Sequence, residues 1–364
     1  MAALFTPLTI GDLTLANRIV IPPMCQYSAE DGSATSWHMI HLGQLALSGA
    51  GMLTIEATAV EAEGRITYGD LGLYSDANEA ALGRTLEEIR RWSQMPIAIQ
   101  LAHAGRKASS DLPWLGGAQI PAAHANGWQT VAPSSLAFTP DHHPPHALDR
   151  DGMTRVRDAF VLAAQRAKRI GIDAIQLHGA HGYLLHSFLS PISNHRNDEY
   201  GGDIEGRMRF PLEVFDAVRQ AFDGPVMIRI SSTDWVEGGW TLDDSLVFAQ
   251  RLKAIGCDAI DCSSGGSAAP GQAKMTIAPG YQVPFARALR HQAGIKTGAV
   301  GMILDFDQAE SIVALGDADF VSVGRGMLYD PHWPWHAAAH FGATVKAPPQ
   351  YLRAQTRPGH QILA

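Results

Sequence analysis

Short apolar runs, often β-branched, recur along the chain at residues 18–22, 51–57, 96–101, 174–178, 225–231, 259–264, 296–300 and 320–325. Runs of this length bounded by turn formers read as strands buried on both faces. Between most of them lie longer segments, residues 77–92, 154–170, 206–222, 242–255 and 305–315, whose apolar positions repeat at helical spacing. Alternation of strand and helix predicts a parallel sheet clothed by helices. Eight such runs fit an α/β fold of the (β/α)8 TIM barrel kind, which fills about 250 residues or more as one unit. A doubly wound sheet also alternates, but it is expected to open its first helix with Gly-x-Gly-x-x-Gly, and the chain has none. The expected organisation is one barrel over residues 1–346, a long loop after the third strand, and a C-terminal extension over residues 347–364.

Polar or small residues stand at the end of run after run: Met24 and Cys25, Glu56, Gln100 and His103, His178 and His181, Arg229, Ser263, Gly298 and Gly301, and Gly324 with Arg325. The carboxyl ends of barrel strands all open on one face, so these residues would ring a single cavity, which points to an enzyme. The connection from 104 to 153 carries Trp114, Trp128 and the cluster His142-His143-Pro144-Pro145-His146. A loop of that length covers a site or stays structureless. Prolines within the cluster keep its imidazoles apart, which favours a solvated loop over a metal patch. Lys107 is placed to reach the cavity rim.

The densest chemistry is His178-Gly179-Ala180-His181-Gly182-Tyr183, directly after an apolar run. Glycine there lets the backbone turn and approach a ligand closely, so two imidazoles and a phenol would face whatever occupies the cavity. Paired histidines are also common metal ligands, but no Glu follows the first and no third ligand is near. They can also be plain core residues; the tyrosine and the polar stretch from Ser193 to Gly202 weigh toward a site. Gly298 to Gly301 and Val323-Gly324-Arg325-Gly326 close the last two runs. Barrels often bind phosphate there through backbone N–H groups, and Arg325 adds a cation. A glycine pair at such turns can equally be purely conformational.

Composition narrows the class further. Of 364 residues, 18% are charged and the formal net charge is −8, so no basic surface speaks for nucleic acid. No segment approaches the roughly 20 apolar residues of a membrane span, and the first residues lack a signal-peptide pattern, which makes the cytoplasm the expected location. Cys25, Cys257 and Cys262 form no Cys-x-x-Cys pair, so free thiols are expected rather than a disulfide framework or cluster.

A family resemblance rests on Asn17-Arg18-Ile19-Val20, Pro22-Pro23-Met24-Cys25-Gln26-Tyr27, Glu56-Ala57-Thr58-Ala59-Val60, Gln100-Leu101-Ala102-His103-Ala104-Gly105-Arg106-Lys107, the His178 to Tyr183 block, residues 194–209 and Val323-Gly324-Arg325. In these pieces, their order and their spacing, the chain resembles the Old Yellow Enzyme family of FMN-dependent ene-reductases, in its cysteine-containing, thermophilic-like branch. One departure stands in residues 194–209, where the family's Glu-Asn-Arg is Glu205-Gly206-Arg207; it puts the stability of that loop-to-helix cap in question, not the chemistry.

The resemblance implies tightly but non-covalently bound FMN and NADPH as reductant. It assigns the phosphate to Gly301, Gly324 and Arg325, the pyrimidine edge to Gln100, and the charge near the flavin C2 carbonyl to Arg229. Pro23, Met24, Cys25 and Ala57 would line the ring, with Cys25 tuning its potential, and His178 would border it. His178 and His181 would hold the oxygen of an activated alkene, Tyr183 would protonate the α-carbon, and Tyr27 would orient the substrate. Arg353 would enter the neighbouring active site of a homodimer or homotetramer. Two other readings stay open at this stage: a flavin-free barrel lyase or aldolase acting on a phosphorylated substrate, and a non-catalytic binding protein on a barrel scaffold.

Overall fold

A computed structural model of the chain describes residues 2–355 and 361–364. All the expected runs form strands: β1 Ile19–Ile21, β2 Met52–Ala59, β3 Ile97–Ala102, β4 Ala174–Gly179, β5 Val226–Ser231, β6 Ile260–Ser263, β7 Thr297–Val300 and β8 Phe320–Ser322. Each pairs in parallel with its sequence neighbour, and β8 returns to β1 through Val321↔Ile19, closing the barrel. The last run was expected to extend to residue 325; the strand instead ends at Ser322, and Gly324 and Arg325 open the short helix Arg325–Tyr329.

The expected helices are present as Asp76–Arg90, Arg150–Arg169, Ile204–Ala221, Leu242–Ala254 and Phe306–Ala314. Each begins at a side-chain cap. Ser75, Asp149, Asp203, Thr241 and Asp305 accept backbone N–H groups of the first turn, which otherwise have no partner. Their apolar faces pack on the outer surface of the strands in one continuous core. A second, smaller core fills the barrel's amino end, where Val20, Met52, Ala98, Ala174, Met227, Ala259 and Phe320 meet Leu8, Ile10 and Leu15 of an N-terminal hairpin. Gly298, counted with the anion-binding glycines from sequence, belongs to this packing. A Cβ there would come within 2.1 Å of the Phe320 ring.

The 104–153 connection is built rather than structureless. It carries single turns at Gly105–Lys107 and Pro113–Leu115 and a two-residue parallel pairing of Val131–Ala132 with His146–Ala147. Its histidines gather no metal site; among the described residues no group of His, Cys, Asp and Glu is arranged to hold one. Gly206 also has a packing reason. A Cβ at that position would lie 2.1 Å from the Gly201 carbonyl oxygen, so the Tyr200-Gly201-Gly202 turn rests directly on the helix start.

After helix Trp333–Phe341 the chain forms the turn Pro349–Ala354, and residues 361–364 come back to bond with residues 345–347. Residues 356–360 of the expected extension lie outside the described residues. Among the described residues no helix is long and apolar enough to cross a membrane.

Candidate active site

The carboxyl ends of β1 to β8 bring the predicted residues to one face. At β4, His178 is buried one residue before the strand ends, and its Nδ1 accepts the Ala180 N–H at 3.2 Å. A neutral imidazole that accepts at Nδ1 carries its proton on Nε2, and that atom lies 3.3 Å from Nδ1 of His181. The Tyr183 ring stands edge-on to His178, with centroids 4.7 Å apart. Burial, Arg229 and other nearby cations push both imidazoles well below the ordinary histidine range, so they are neutral hydrogen-bonding groups rather than cations. Burial, with Cys25, Tyr27 and Asp70 nearby, raises Tyr183 well above the usual phenol range and keeps its proton in place.

His181 sits at φ +59°, a left-handed conformation unusual outside glycine. Three contacts hold it there. Its N–H donates to Ser231 Oγ at 2.9 Å, its carbonyl accepts from Lys107 Nζ at 2.8 Å, and the same Nζ donates to Gly266 O at 3.1 Å. Gly182 and Gly266 let the loop after β6 lie flat on this turn; a Cβ on Gly182 would meet Gly266 O at 2.2 Å. Behind the turn, Gly182 N–H donates to His186 Nδ1 at 2.8 Å. Lys107, expected at the rim, is thus a clamp on the site. Burial and Arg106 lower its ammonium to about 8.

Cys25 follows β1 and is backed by β2. Glu56 is an extra residue in β2, where the register with β3 jumps between Ile55 and Ala57; such bulges re-aim side chains beside active sites. Its carboxylate accepts the Gln26 N–H at 2.8 Å and lies 3.2 Å from His38 Nε2. Burial, Asp70 and Glu56 all raise the Cys25 thiol, so it stays protonated beside the Tyr27 hydroxyl. Burial lifts Asp70 itself to about 7 despite three hydrogen bonds from Ile66 and Thr67. The Tyr27 ring packs edge-on against Trp114 of the long loop, 6.0 Å between centroids, and Phe138 of the same loop lies 4.5 Å from Lys107 Nζ. That loop therefore covers the cavity through Trp114 and Phe138, one of the two expected roles, while His143 and His146 of its histidine cluster stay exposed.

Deeper in the barrel, Gln100 Nε2 donates to Gln176 Oε1 on the neighbouring strand at 2.6 Å. Arg229 is buried, 3.5 Å from Asp261, and its Nε has no hydrogen-bond partner among the described residues. A buried guanidinium with an orphaned donor is costly unless something else accepts from it. At β7 and β8, Gly301 has φ +125° with Tyr281 and Gln282 packed on its open side, and Gly324 lies against Pro22 and Met24. Arg325 is exposed, with no ion pair among the described residues, and its charge acts on Tyr281. Glycines beside a free cation at the last two strand ends, with a buried Arg229 of orphaned Nε on β5, suit a group that carries a phosphate at one end and an electron-accepting ring at the other.

Pro23, Met24 and Ala57 lie on the same face, at the ends of β1 and β2. Arg353 does not join the others. It is exposed in the Pro349–Ala354 turn, while its neighbour Tyr351 packs on His332 and Trp335. Sequence reading passed over Asp70, Gln176, Tyr281 and Gln282. All but Gln176 lie in irregular connections, where no periodicity marks them, and Gln176 is a single polar position in an apolar strand.

The class so defined is a barrel oxidoreductase with a place for a flavin nucleotide. The model of the NADH:flavin oxidoreductase / NADH oxidase family matches residues 3–342, and the chain belongs to that family, which makes it an enzyme with FMN as cofactor. It is 44% identical over 352 residues to an NADPH dehydrogenase of Geobacillus sp. (strain WCH70), covering 96% of this chain and 98% of the relative. It is 43% identical to an NADPH dehydrogenase of Bacillus subtilis (strain 168), again over 96% and 98%. Among solved structures, morphinone reductase superposes with a TM-score of 0.77 at 30% identity, over 94% of this chain and 91% of that one. The Old Yellow Enzyme resemblance therefore stands, and the flavin-free lyase and binding-protein readings fall.

Proposed function

We propose that this protein uses NADPH to reduce the activated C=C bond of α,β-unsaturated carbonyl and nitro compounds. When bound, FMN would supply the redox chemistry that links NADPH oxidation to alkene reduction. The residues of the chain do the rest. Gly301, Gly324 and Arg325 hold the phosphate, Gln100 bonds the pyrimidine edge, and Arg229 meets the negative charge that reduction brings. Pro23, Met24, Cys25 and Ala57 line the ring beside His178, and the neutral Cys25 thiol donates a weak hydrogen bond that tunes its potential.

His178 and His181 hold the carbonyl or nitro oxygen and stabilise charge that grows on it during hydride transfer, as an oxyanion hole does. Tyr183, kept protonated by burial, gives its proton to the α-carbon, while Tyr27 orients the substrate from the Cys25 side. The observation that carries this reading is the convergence of His178 Nε2, His181 Nδ1 and the Tyr183 ring on one spot. A homodimer or homotetramer in the cytoplasm, with Arg353 crossing into the neighbouring cavity, completes the proposal; the exposure of the Arg353 side chain supports it.

The test is product formation: 2-cyclohexenone and a nitroalkene are incubated with enzyme and NADPH, and the saturated products are measured. Consumption of NADPH with oxygen alone, and no saturated product from either substrate, would overturn the reading.

A further inference from the structure

Successive inward positions on a strand are two residues apart. Met52, Ala174, Ala259 and Phe320 belong to the apolar plug at the barrel's amino end, so the next inward positions are Thr54, Gln176, Asp261 and Ser322, on β2, β4, β6 and β8. Four side chains from alternate strands make one layer of a barrel interior, and this layer is polar and buried throughout. Ala98 and Met227 of the plug are followed in the same way by Gln100 and Arg229. A tier kept for packing alone would satisfy its own polar groups. Among the described residues Thr54 Oγ1, Asp261 Oδ1, Ser322 Oγ and Arg229 Nε have no hydrogen-bond partner.

Asp261 and Arg229 are register partners across β5 and β6, with Oδ2 3.5 Å from Nε. This is an ion pair without a hydrogen bond, and among the described residues Asp261 is the one carboxylate paired with Arg229. Asp261 therefore offsets the charge of the guanidinium without taking up its N–H groups. Burial raises the Asp261 carboxyl, and Arg229 draws it back toward the ionised form; a guanidinium does not give up its own proton, so the pull is permanent. Resting on the reading that Arg229 meets the negative charge of reduced FMN, we propose that Asp261 is a positioning residue for the flavin that acts through Arg229. Its carboxylate subtracts from the positive field that Arg229 brings to the reduced ring, lowers the reduction potential, and so keeps the reduced flavin a ready hydride donor.

The experiment uses the FMN-loaded enzyme and two equilibrium readouts: the reduction potential measured against a reference dye, and the affinity for sulfite, which adds to oxidised flavin and leaves the ring negatively charged. Asp261→Asn keeps the shape and removes the charge. It should raise the potential by about 30 mV, a tenfold change in the oxidised-to-reduced ratio for two electrons, and tighten sulfite binding on the order of tenfold. Asp261→Ser removes the same charge with a smaller side chain and should shift both readouts the same way; Asp261→Glu keeps the charge and should stay near the wild type. An Asp261→Asn or Asp261→Ser enzyme with wild-type potential and wild-type sulfite affinity would overturn the inference. Arg229→Gln separates the two roles, and should lower the potential and weaken sulfite binding. If it does so while the Asp261 variants change neither readout, only the role of Asp261 fails; if Arg229→Gln changes neither readout, the place of Arg229 at the flavin fails and the inference with it.

Discussion

Glu56 accepts the backbone N–H of Gln26 at 2.8 Å, joining the bulge of β2 to the turn that presents Cys25. One misfit residue in a strand thus fixes the floor of the cavity. Replacing Glu56 by Ala removes the acceptor for Gln26 and the partner of His38 in a buried region, and should destabilise the fold by about 1–3 kcal/mol. Glu56→Gln should cost less, and by deleting a negative charge near Cys25 it should speed alkylation of that thiol. Urea unfolding and iodoacetamide kinetics measure the two effects; equal alkylation rates in both proteins would show that Glu56 does not act on the thiol.

His178→Ala and His181→Ala should each slow alkene reduction by about 10²–10³, as loss of one oxyanion-type donor does. FMN should remain bound, since the phosphate cradle proposed for it lies at β7 and β8. Single-turnover reoxidation of the reduced enzyme by 2-cyclohexenone gives the rates, and near wild-type rates with flavin retained would contradict the role.

Tyr183→Phe should retard only the alkene half-reaction. The rate of flavin reduction by NADPH should be unchanged, and stopped-flow absorbance separates the two steps. Because burial raises Tyr183 well above the ordinary phenol value, the alkene half-reaction should show no loss from deprotonation of this tyrosine as pH rises through about 10.

The buried histidine pair and the buried Asp70 give the fold opposite pH dependences. His178 and His181 are pushed well below 6.5, so the unfolded chain takes up protons that the folded chain refuses, and stability should fall as pH drops below about 6.5. Asp70 is lifted to about 7 from 3.8, so its folded carboxyl holds a proton that the unfolded one releases, and its share of stability should fall as pH rises across that interval. Urea unfolding across this range checks the signs: His181→Asn should lose less stability than wild type on acidification, and Asp70→Asn less on going from pH 4 to 7.

Arg353→Ala, or truncation before Ala347, should raise the apparent KM for alkenes with little change in NADPH reduction of the flavin. Sedimentation should find the active wild-type species to be a dimer or larger. A fully active monomer would remove the partner's arginine from the account.

The barrel was legible because buried parallel strands leave short apolar runs and amphipathic helices leave a helical period. The helix starts were less legible: the segment read from residue 154 begins at Arg150, after the Asp149 cap, because its first turn carries no apolar period. His178, His181 and Tyr183 were legible because they stand together in sequence. Asp70, Gln282 and the clamp of Lys107 on His181 were not, since each acts through contacts between loops that only the closed barrel brings together. The hairpin at residues 8–15 does alternate apolar and polar positions around Gly11-Asp12, yet its role as a plug in the barrel's amino end depends on tertiary packing. Gly298 illustrates the converse: the same residue type serves a ligand cradle or a neighbouring ring, and only the position of Phe320 tells which.

The most direct measurement of the central claim is an anaerobic titration of the purified FMN enzyme. One equivalent of NADPH should bleach the yellow flavin absorbance, and one equivalent of 2-cyclohexenone should then restore it while cyclohexanone forms in equal amount. Bleaching by NADPH with no return of colour on adding the enone, or the nitroalkene in its place, would contradict the proposed reaction.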